Sequence, residues 1–330
     1  MKRKYAILLI LIFSSIELGF SNNNLYAAEE KKTSDETRKP NDGLELILNS
    51  GDIYYSKYNL VMTDKEINNT KREGYYISSI PLQFRYNYYL NIKKDIFIAP
   101  YLNYFGYKYD LGTNEWNNAY WNNNQTTAVG AQLGRAEEFR ENYKNNINYY
   151  MGGLYCTIFI EKQFINSSMD RTKDVIPASV PSDNIKTGVN TWYANKKLVG
   201  NNKYRLWTEV WGEFAYQTTN FYANNNSDYL IVNIAPKAGL SIDVINNVAL
   251  EPYFRVNYKK DVLSKKCNDY PWNNFKQCGT GVRVALNRIL PLPGEPYLYS
   301  EYLIVTHLSQ TKQELSHDIK IGLNYWVKIL

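Results

Sequence analysis

Residues 205–217 and 248–259 constrain the fold most. In the first stretch Leu206, Thr208, Val210, Phe214 and Tyr216 alternate with Arg205, Trp207, Glu209, Trp211, Glu213 and Gln217. In the second, Val248, Leu250, Pro252, Phe254, Val256 and Tyr258 alternate with Glu251, Tyr253, Arg255, Asn257 and Lys259. Residues 82–92 behave alike, with Leu82, Phe84, Tyr86, Tyr88, Leu90 and Ile92 on one side. A period of two is the strand period. Each stretch is therefore a long strand with one apolar and one polar or charged face, and the apolar face has to be hidden from water. The final stretch, DIKIGLNYWVKIL (318–330), alternates to its last residue. Such a strand exposes an edge unless it is paired, and closing onto the first strand of a barrel would pair it.

The same pattern gives about twelve strands along the chain, at 43–62, 75–91, 95–109, 126–140, 148–164, 184–196, 202–222, 227–242, 248–260, 276–288, 296–308 and 317–330. RAEEFRENYKNNI (135–147) could also form a short helix. The parity of 95–109 and 148–164 is open, because both sides there are aromatic or small. Long connections such as TDKEINNTKREG, DLGTNEWNNAYWNNNQ, 165–183 and DVLSKKCNDYPWNNF alternate with short ones at 92–94, at 243–247 and in LPLPGEP. The short loop at 224–226 is an exception. An even strand number with short turns at one end and longer loops at the other is the pattern of an outer-membrane barrel, with the short side and both termini periplasmic.

A soluble sandwich or lipocalin-like barrel shares the period of two. Three features favour a membrane barrel. The strands exceed the ~5–6 residues common in soluble sheets and reach the ~9–11 that a tilted strand needs to cross a bilayer. A barrel well beyond ~8 strands is too wide for side chains alone to fill, which suits a charged inner face. Tyr (31) and Trp (7) gather near strand ends, where interfacial girdles sit. The expected fold is all-β, a transmembrane antiparallel up-and-down β-barrel of outer-membrane type.

Before the strands, a basic Met1-Lys-Arg-Lys start, an apolar run from Tyr5 to Phe20 and the small-residue site Leu25-Tyr26-Ala27 read as a signal peptide, residues 1–27. An N-terminal anchor helix is the alternative, but Glu17 interrupts the run below the ~20 residues a span needs. Residues 28–42 contain EEKKTSDETRKPND, which has no apolar face and reads as a flexible periplasmic leader; a short partner-binding segment is the alternative. The barrel is expected over 43–330. No long apolar segment follows the first, which excludes a helical membrane protein. The net charge of +6 comes with scattered Lys and Arg, so no nucleic-acid stripe forms.

The inner face carries the candidate site. By parity Arg85, Arg205, Glu209, Glu213, Lys237, Glu251, Arg255, Arg283 and Glu301 point inward, with Trp207, Trp211, Tyr253, Tyr297 and Tyr299 in the same rows. These charges can simply pair across the lumen and solvate it. The functional reading is a track for a sugar chain, whose C–H faces pack on rings while its hydroxyls take hydrogen bonds; a lumen of one sign would instead suggest ion selectivity. Cys267 and Cys278 bracket a predicted outer loop, and a disulfide between them would pin it in an oxidising compartment.

Catalysis finds little support. The two histidines, His307 and His317, flank LSQTKQELS near Ser309, Ser316 and Asp318. A triad needs its base within hydrogen-bond reach of the nucleophile, and proximity in sequence does not supply that. Two surface imidazoles on a solvated loop are the plainer reading. The His and Cys residues form no metal-spaced cluster. The expectation is a non-enzyme without metal or cofactor, with an anchored surface receptor and a barrel hydrolase as the rivals to a conduit.

Two resemblances bear on this. Lys320, Gly322, Tyr325 and Val327 resemble the terminal assembly signal of outer-membrane proteins, which implies the outer-membrane assembly machinery as a partner; this chain ends Ile329-Leu330 where that signal usually has an aromatic. YRLWTEVWGEFAYQTTNFY (204–222), IAPKAGLSI (234–242), LEPYFRVNY (250–258), FKQCGTGVRVAL (275–286) and PYLYSEYLI (296–304) resemble the C-terminal barrel of exopolysaccharide-secretion and phage-adsorption outer-membrane proteins. The resemblance is centred on Gly279 and Gly281 before Val282-Arg283 and covers the barrel only; the helical repeats of that family have no counterpart in these residues. It implies passage of a polysaccharide or oligosaccharide.

Overall fold

The computed structural model describes residues 42–60, 70–78, 82–91, 96–110, 124–143, 147–168, 179–199, 204–221, 225–245, 248–263, 274–286, 297–308 and 315–328. The expected signal peptide and nearly all of the leader lie outside them. The described elements are β1 (Gly43–Leu60), β2 (Thr70–Ser78), β3 (Leu82–Asn91), β4 (Ile96–Asp110), β5 (Asn124–Tyr143), β6 (Ile147–Ser168), β7 (Ser179–Leu198), β8 (Tyr204–Phe221), β9 (Asn225–Ile245), β10 (Val248–Asp261), β11 (Phe275–Ala285), β12 (Tyr297–His307) and β13 (Ser316–Lys328).

All pairings are antiparallel, and β13 pairs back onto β1, from Lys328 opposite Glu45 to His317 opposite Lys57. The sheet is thus closed and has no free edge. Segments β2 and β3 share one place in it. Against β1, Asp52 faces Ser78 and Leu48 faces Leu82, a constant register. Against β4 the register is equally constant, with Ser78 facing Lys108 and Leu82 facing Tyr104. Thirteen segments therefore fill twelve places in an up-and-down barrel.

Burial follows the alternation. From β3 to β13 every strand places a large apolar side chain outward and exposed: Phe84, Ile98, Leu133, Ile158, Ile185, Leu206, Ile234, Phe254, Val282, Leu298 and Ile321. Ile158 is 57% and Ile321 60% exposed. A continuous girdle of this kind far exceeds the few hundred Å² of apolar patch that water-soluble monomers present, and it fits hydrocarbon. The inner face is buried and largely polar, including Arg205, Glu251, Arg283 and Glu301.

The structure decides what the alternation left open. Phe97, Ala99, Tyr101 and Asn103 of β4 face inward, as do Thr157, Phe159, Glu161 and Gln163 of β6. Residues 135–143 are strand, not helix: they complete a hairpin in which Tyr143 faces Ile147 and Arg135 faces Cys156. Ladder pairing outweighs the helix-forming composition there. A register shift between Phe139 and Arg140 lies opposite Gly152, whose φ of 124° an L side chain rarely adopts.

Of the expected Cys267–Cys278 bridge the structure describes one end, Cys278. It sits inside β11, opposite Val256 and Ile304, as an exposed free thiol on the outward face. Cys267 lies outside the described residues, and Cys156 is also free. Denatured, unreduced protein is expected to titrate three thiols per chain, its full cysteine content. A count of one would show the bridge.

Candidate functional site

The inner wall from β7 to β12 is a lattice of ion pairs, some between neighbouring strands and some, such as Lys196–Glu251, Arg283–Glu209 and Arg255–Glu301, between strands that are not neighbours. Glu251 is fully buried and accepts from Lys196 Nζ at 3.0 Å and from Arg283 Nε. Arg283 also donates through Nη1 to Glu209 at 3.2 Å, and Glu209 accepts from Lys237 Nζ at 3.3 Å. Beside them Arg255 Nη1 donates to Glu301 at 2.7 Å, and the Tyr253 hydroxyl donates to the other oxygen of Glu301 at 2.7 Å. Arg205 pairs with Asp243 at 3.0 Å. Two or more hydrogen bonds per carboxylate are what buried charges need if desolvation is not to dominate.

Small residues make room for this lattice. Trp207, Gly239, Tyr253 and Gly281 follow one another across β8, β9, β10 and β11. A Cβ at Gly281 would come within 2.5 Å of the Tyr253 ring, and one at Gly239 within 2.9 Å of Trp207. The rings lie down on the glycines, and Arg283 covers Trp207 with its guanidinium carbon 3.8 Å from the ring centroid. Tyr253 stands 5.5 Å from Trp207 on another side. Trp207 is 1% exposed. It lies inside the barrel as its parity indicates, yet its faces are occupied by its own neighbours.

A second cluster crosses β1, β3, β5 and β6. Arg85 is paired with Glu45, donates to the Tyr155 hydroxyl at 2.8 Å, and Tyr155 donates to Gln132 at 2.5 Å. A third links Glu161 to the Tyr101 hydroxyl at 3.0 Å and to Gln163 at 2.5 Å, while Lys186 holds Glu213 at 2.6 Å. Glu45, Tyr101, Gln132, Tyr155, Glu161, Lys186 and Lys196 were not among the candidates from sequence. The parity of 95–109 and 148–164 was open, and only the pairing of β4, β5 and β6 fixes it.

The inward residues named from sequence thus fall into three groups. Arg205, Trp207, Glu209, Lys237, Glu251, Arg255, Arg283 and Glu301 share the β7–β12 lattice, Arg85 lies in the second cluster, and Glu213 joins the third through Lys186. Trp211 is half-buried in the row between Glu209 and Glu213. Tyr297 and Tyr299 are half-buried, with ring centroids 6.1 Å apart.

The histidines are not the surface pair of a loop. His307 is buried on the inner wall with Ser316 and Asp318, whereas His317 faces outward with Nδ1 2.8 Å from the Tyr302 hydroxyl. Ser316 is fully buried, which closes its hydroxyl to any substrate, and Asp318 accepts from Gln277 at 3.0 Å. Among the described residues no group of three or more His, Cys, Asp or Glu could hold a metal ion.

No family model and no curated protein matches the chain. Among solved structures it is similar to the translocator domain of the autotransporter NalP from Neisseria meningitidis, at 12% identity over 94% of this chain and 97% of that one, with a TM-score of 0.41. The transport unit of the autotransporter AIDA-I from Escherichia coli matches at 13% over 93% and 97%, TM-score 0.40. An outer-membrane channel from Pseudomonas putida F1 matches at 10% over 90% and 100%, TM-score 0.38. Likeness at this level says nothing of function.

Proposed function

We propose that the chain is an outer-membrane barrel that acts as a narrow passive conduit for polar solutes, without enzymatic activity. The observation that carries this reading is the contrast between the two faces of one closed wall: apolar and exposed outside, charged and cross-linked inside. A barrel of twelve places is too wide for apolar side chains alone to fill, and a charged inner face favours polar solutes. Residues 1–27 would direct secretion, 28–42 would form a periplasmic leader, and the pattern from Lys320 to Val327 would present the last strand to the assembly machinery.

The lattice sets the width. Glu209, Glu251, Arg283 and Lys196 close on one another, so passage at their level requires side chains to swing aside. An oligosaccharide or single polysaccharide strand is the cargo that suits this interior, through the half-buried rings of Trp211, Tyr297 and Tyr299 and the hydrogen-bonding charges around them. In a planar bilayer, purified protein is expected to conduct, and added maltohexaose to reduce the current in a concentration-dependent way. Trp211→Ala should weaken that block by about fivefold to tenfold, within the ~1–1.5 kcal/mol scale of one aromatic contact. Trp207→Ala should weaken it less, since Arg283 covers that ring. A folded barrel with no conductance and no response to sugar would reject the conduit.

A further inference from the structure

The inner wall carries the same row twice. On β4, β5, β6 and β7, Tyr101, Gly130, Glu161 and Lys186 stand opposite one another in turn. On β10, β11, β12 and β13, Tyr253, Gly281, Glu301 and Lys320 do the same. With β2 and β3 counted as one place, β4 and β10 are six places apart in a ring of twelve, half a turn. The surrounding sequence repeats as well: PYLN (100–103) against PYFR (252–255), and SDNIKTGVNTW (182–192) against SHDIKIGLNYW (316–326). So does the geometry. A Cβ at Gly130 or at Gly281 would meet the ring of its tyrosine at 2.5 Å. In each row the tyrosine hydroxyl donates to the glutamate two strands on, at 3.0 Å to Glu161 and at 2.7 Å to Glu301.

The rows differ two residues after the tyrosine. Arg255 gives Glu301 a guanidinium partner at 2.7 Å. Its counterpart Asn103 offers only Nδ2 at 3.5 Å from Glu161, the outer limit of a hydrogen bond. The other hydrogen bonds to Glu161 come from the neutral Tyr101 and Gln163. Among the described residues no cation forms an ion pair with Glu161, and the ammonium of Lys186 opposite it is placed on Glu213. Asn103 Oδ1 is buried and has no hydrogen-bond partner. Glu161 is 5% and Asn103 8% exposed. A buried carboxylate held by neutral donors beside an orphaned carbonyl oxygen is a pair of acceptors that lacks a cation.

We propose that the barrel is a duplicated six-strand unit, and that the Glu161–Asn103 station binds a cationic group of a passing solute, a guanidinium or primary ammonium, in the role that Arg255 fills in the other half. Binding at this station in the lumen rests on the conduit reading above. Arg255 shows what chemistry the repeated frame accepts, since a guanidinium donates in a fork to a carboxylate oxygen and a nearby carbonyl.

The probe is methylguanidinium chloride, applied to the full-length protein. Two readouts separate this site from the conduit: block of single-channel current in a planar bilayer, and the rise in melting temperature of the protein in detergent micelles, which needs no conduction. Wild type should show both effects. Asn103→Arg supplies a tethered guanidinium and should raise the half-maximal concentration roughly tenfold to a hundredfold, as loss of a charged hydrogen bond does; Glu161→Gln should do the same. Arg255→Asn should create a second station and increase the block. If Glu161→Gln fails to fold, Asn103→Arg and Arg255→Asn still decide. A melting shift without conductance would reject the conduit and keep the site. Conductance with no methylguanidinium effect, or an effect undiminished in Asn103→Arg, would overturn the site and keep the conduit.

Discussion

Replacing Glu251 with alanine is expected to destabilise the barrel by about 3–5 kcal/mol, the range found when one partner of a buried ion pair is removed. Glu251 is fully buried and its two oxygens serve two cations, Lys196 and Arg283. Arg283 keeps Glu209 at 3.2 Å after the truncation. Lys196, itself 5% exposed, loses the carboxylate at 3.0 Å. The cost therefore comes from removing an acid that two buried cations share. The double change Lys196→Met with Glu251→Leu should recover much of the loss, because a matched apolar pair carries no desolvation cost. Urea titration of folding into detergent micelles reads both. A loss below about 1 kcal/mol for Glu251→Ala would mean that water reaches this level of the barrel and screens the lattice.

Alternation made the strands and their two faces legible because a period of two is the strand period, and strand number and length added the ring. The stretches that resisted show what it lacks. In 95–109 aromatic or small residues occur on both sides, Phe97, Ala99 and Tyr101 on one and Tyr104 and Gly106 on the other, and only the pairing of Tyr101 with Gly130 and of Gly130 with Glu161 shows which side is inner. That is why Glu161, Tyr101 and Asn103 escaped notice while Arg255, in a row with a clear polar face, did not. Trp207 was placed on the correct face, yet sequence gives no sign that Arg283 from three strands away would cover it. Cys278 lies three residues inside β11, which begins at Phe275, so its side chain belongs to the wall and not to the loop before it. His307 and His317 are ten apart in sequence but on opposite faces of the wall, since the turn from β12 to β13 places them on inward and outward parities.

Phe254→Arg supplies the test of which medium surrounds the barrel. Phe254 lies outward in the middle of β10, 51% exposed, with Leu250 and Val256 exposed on the same face. If hydrocarbon covers that face, an arginine there should cost about 2–4 kcal/mol near the midplane, as lipid-facing barrel positions do. Gln217→Arg, on the inner face of β8 beside Gln163, should cost less than about 1 kcal/mol, because substitutions in a lumen mainly alter selectivity. The comparison holds strand type constant and changes only the side of the wall. In a water-soluble barrel the ranking would reverse: exposed substitutions usually fall within about ±0.5 kcal/mol, and an arginine would relieve an apolar patch. Folding into phospholipid vesicles, followed by urea titration, measures both variants. Stability unchanged or improved by Phe254→Arg would place this face in water, and the girdle from Phe84 to Ile321 would then need protein to cover it.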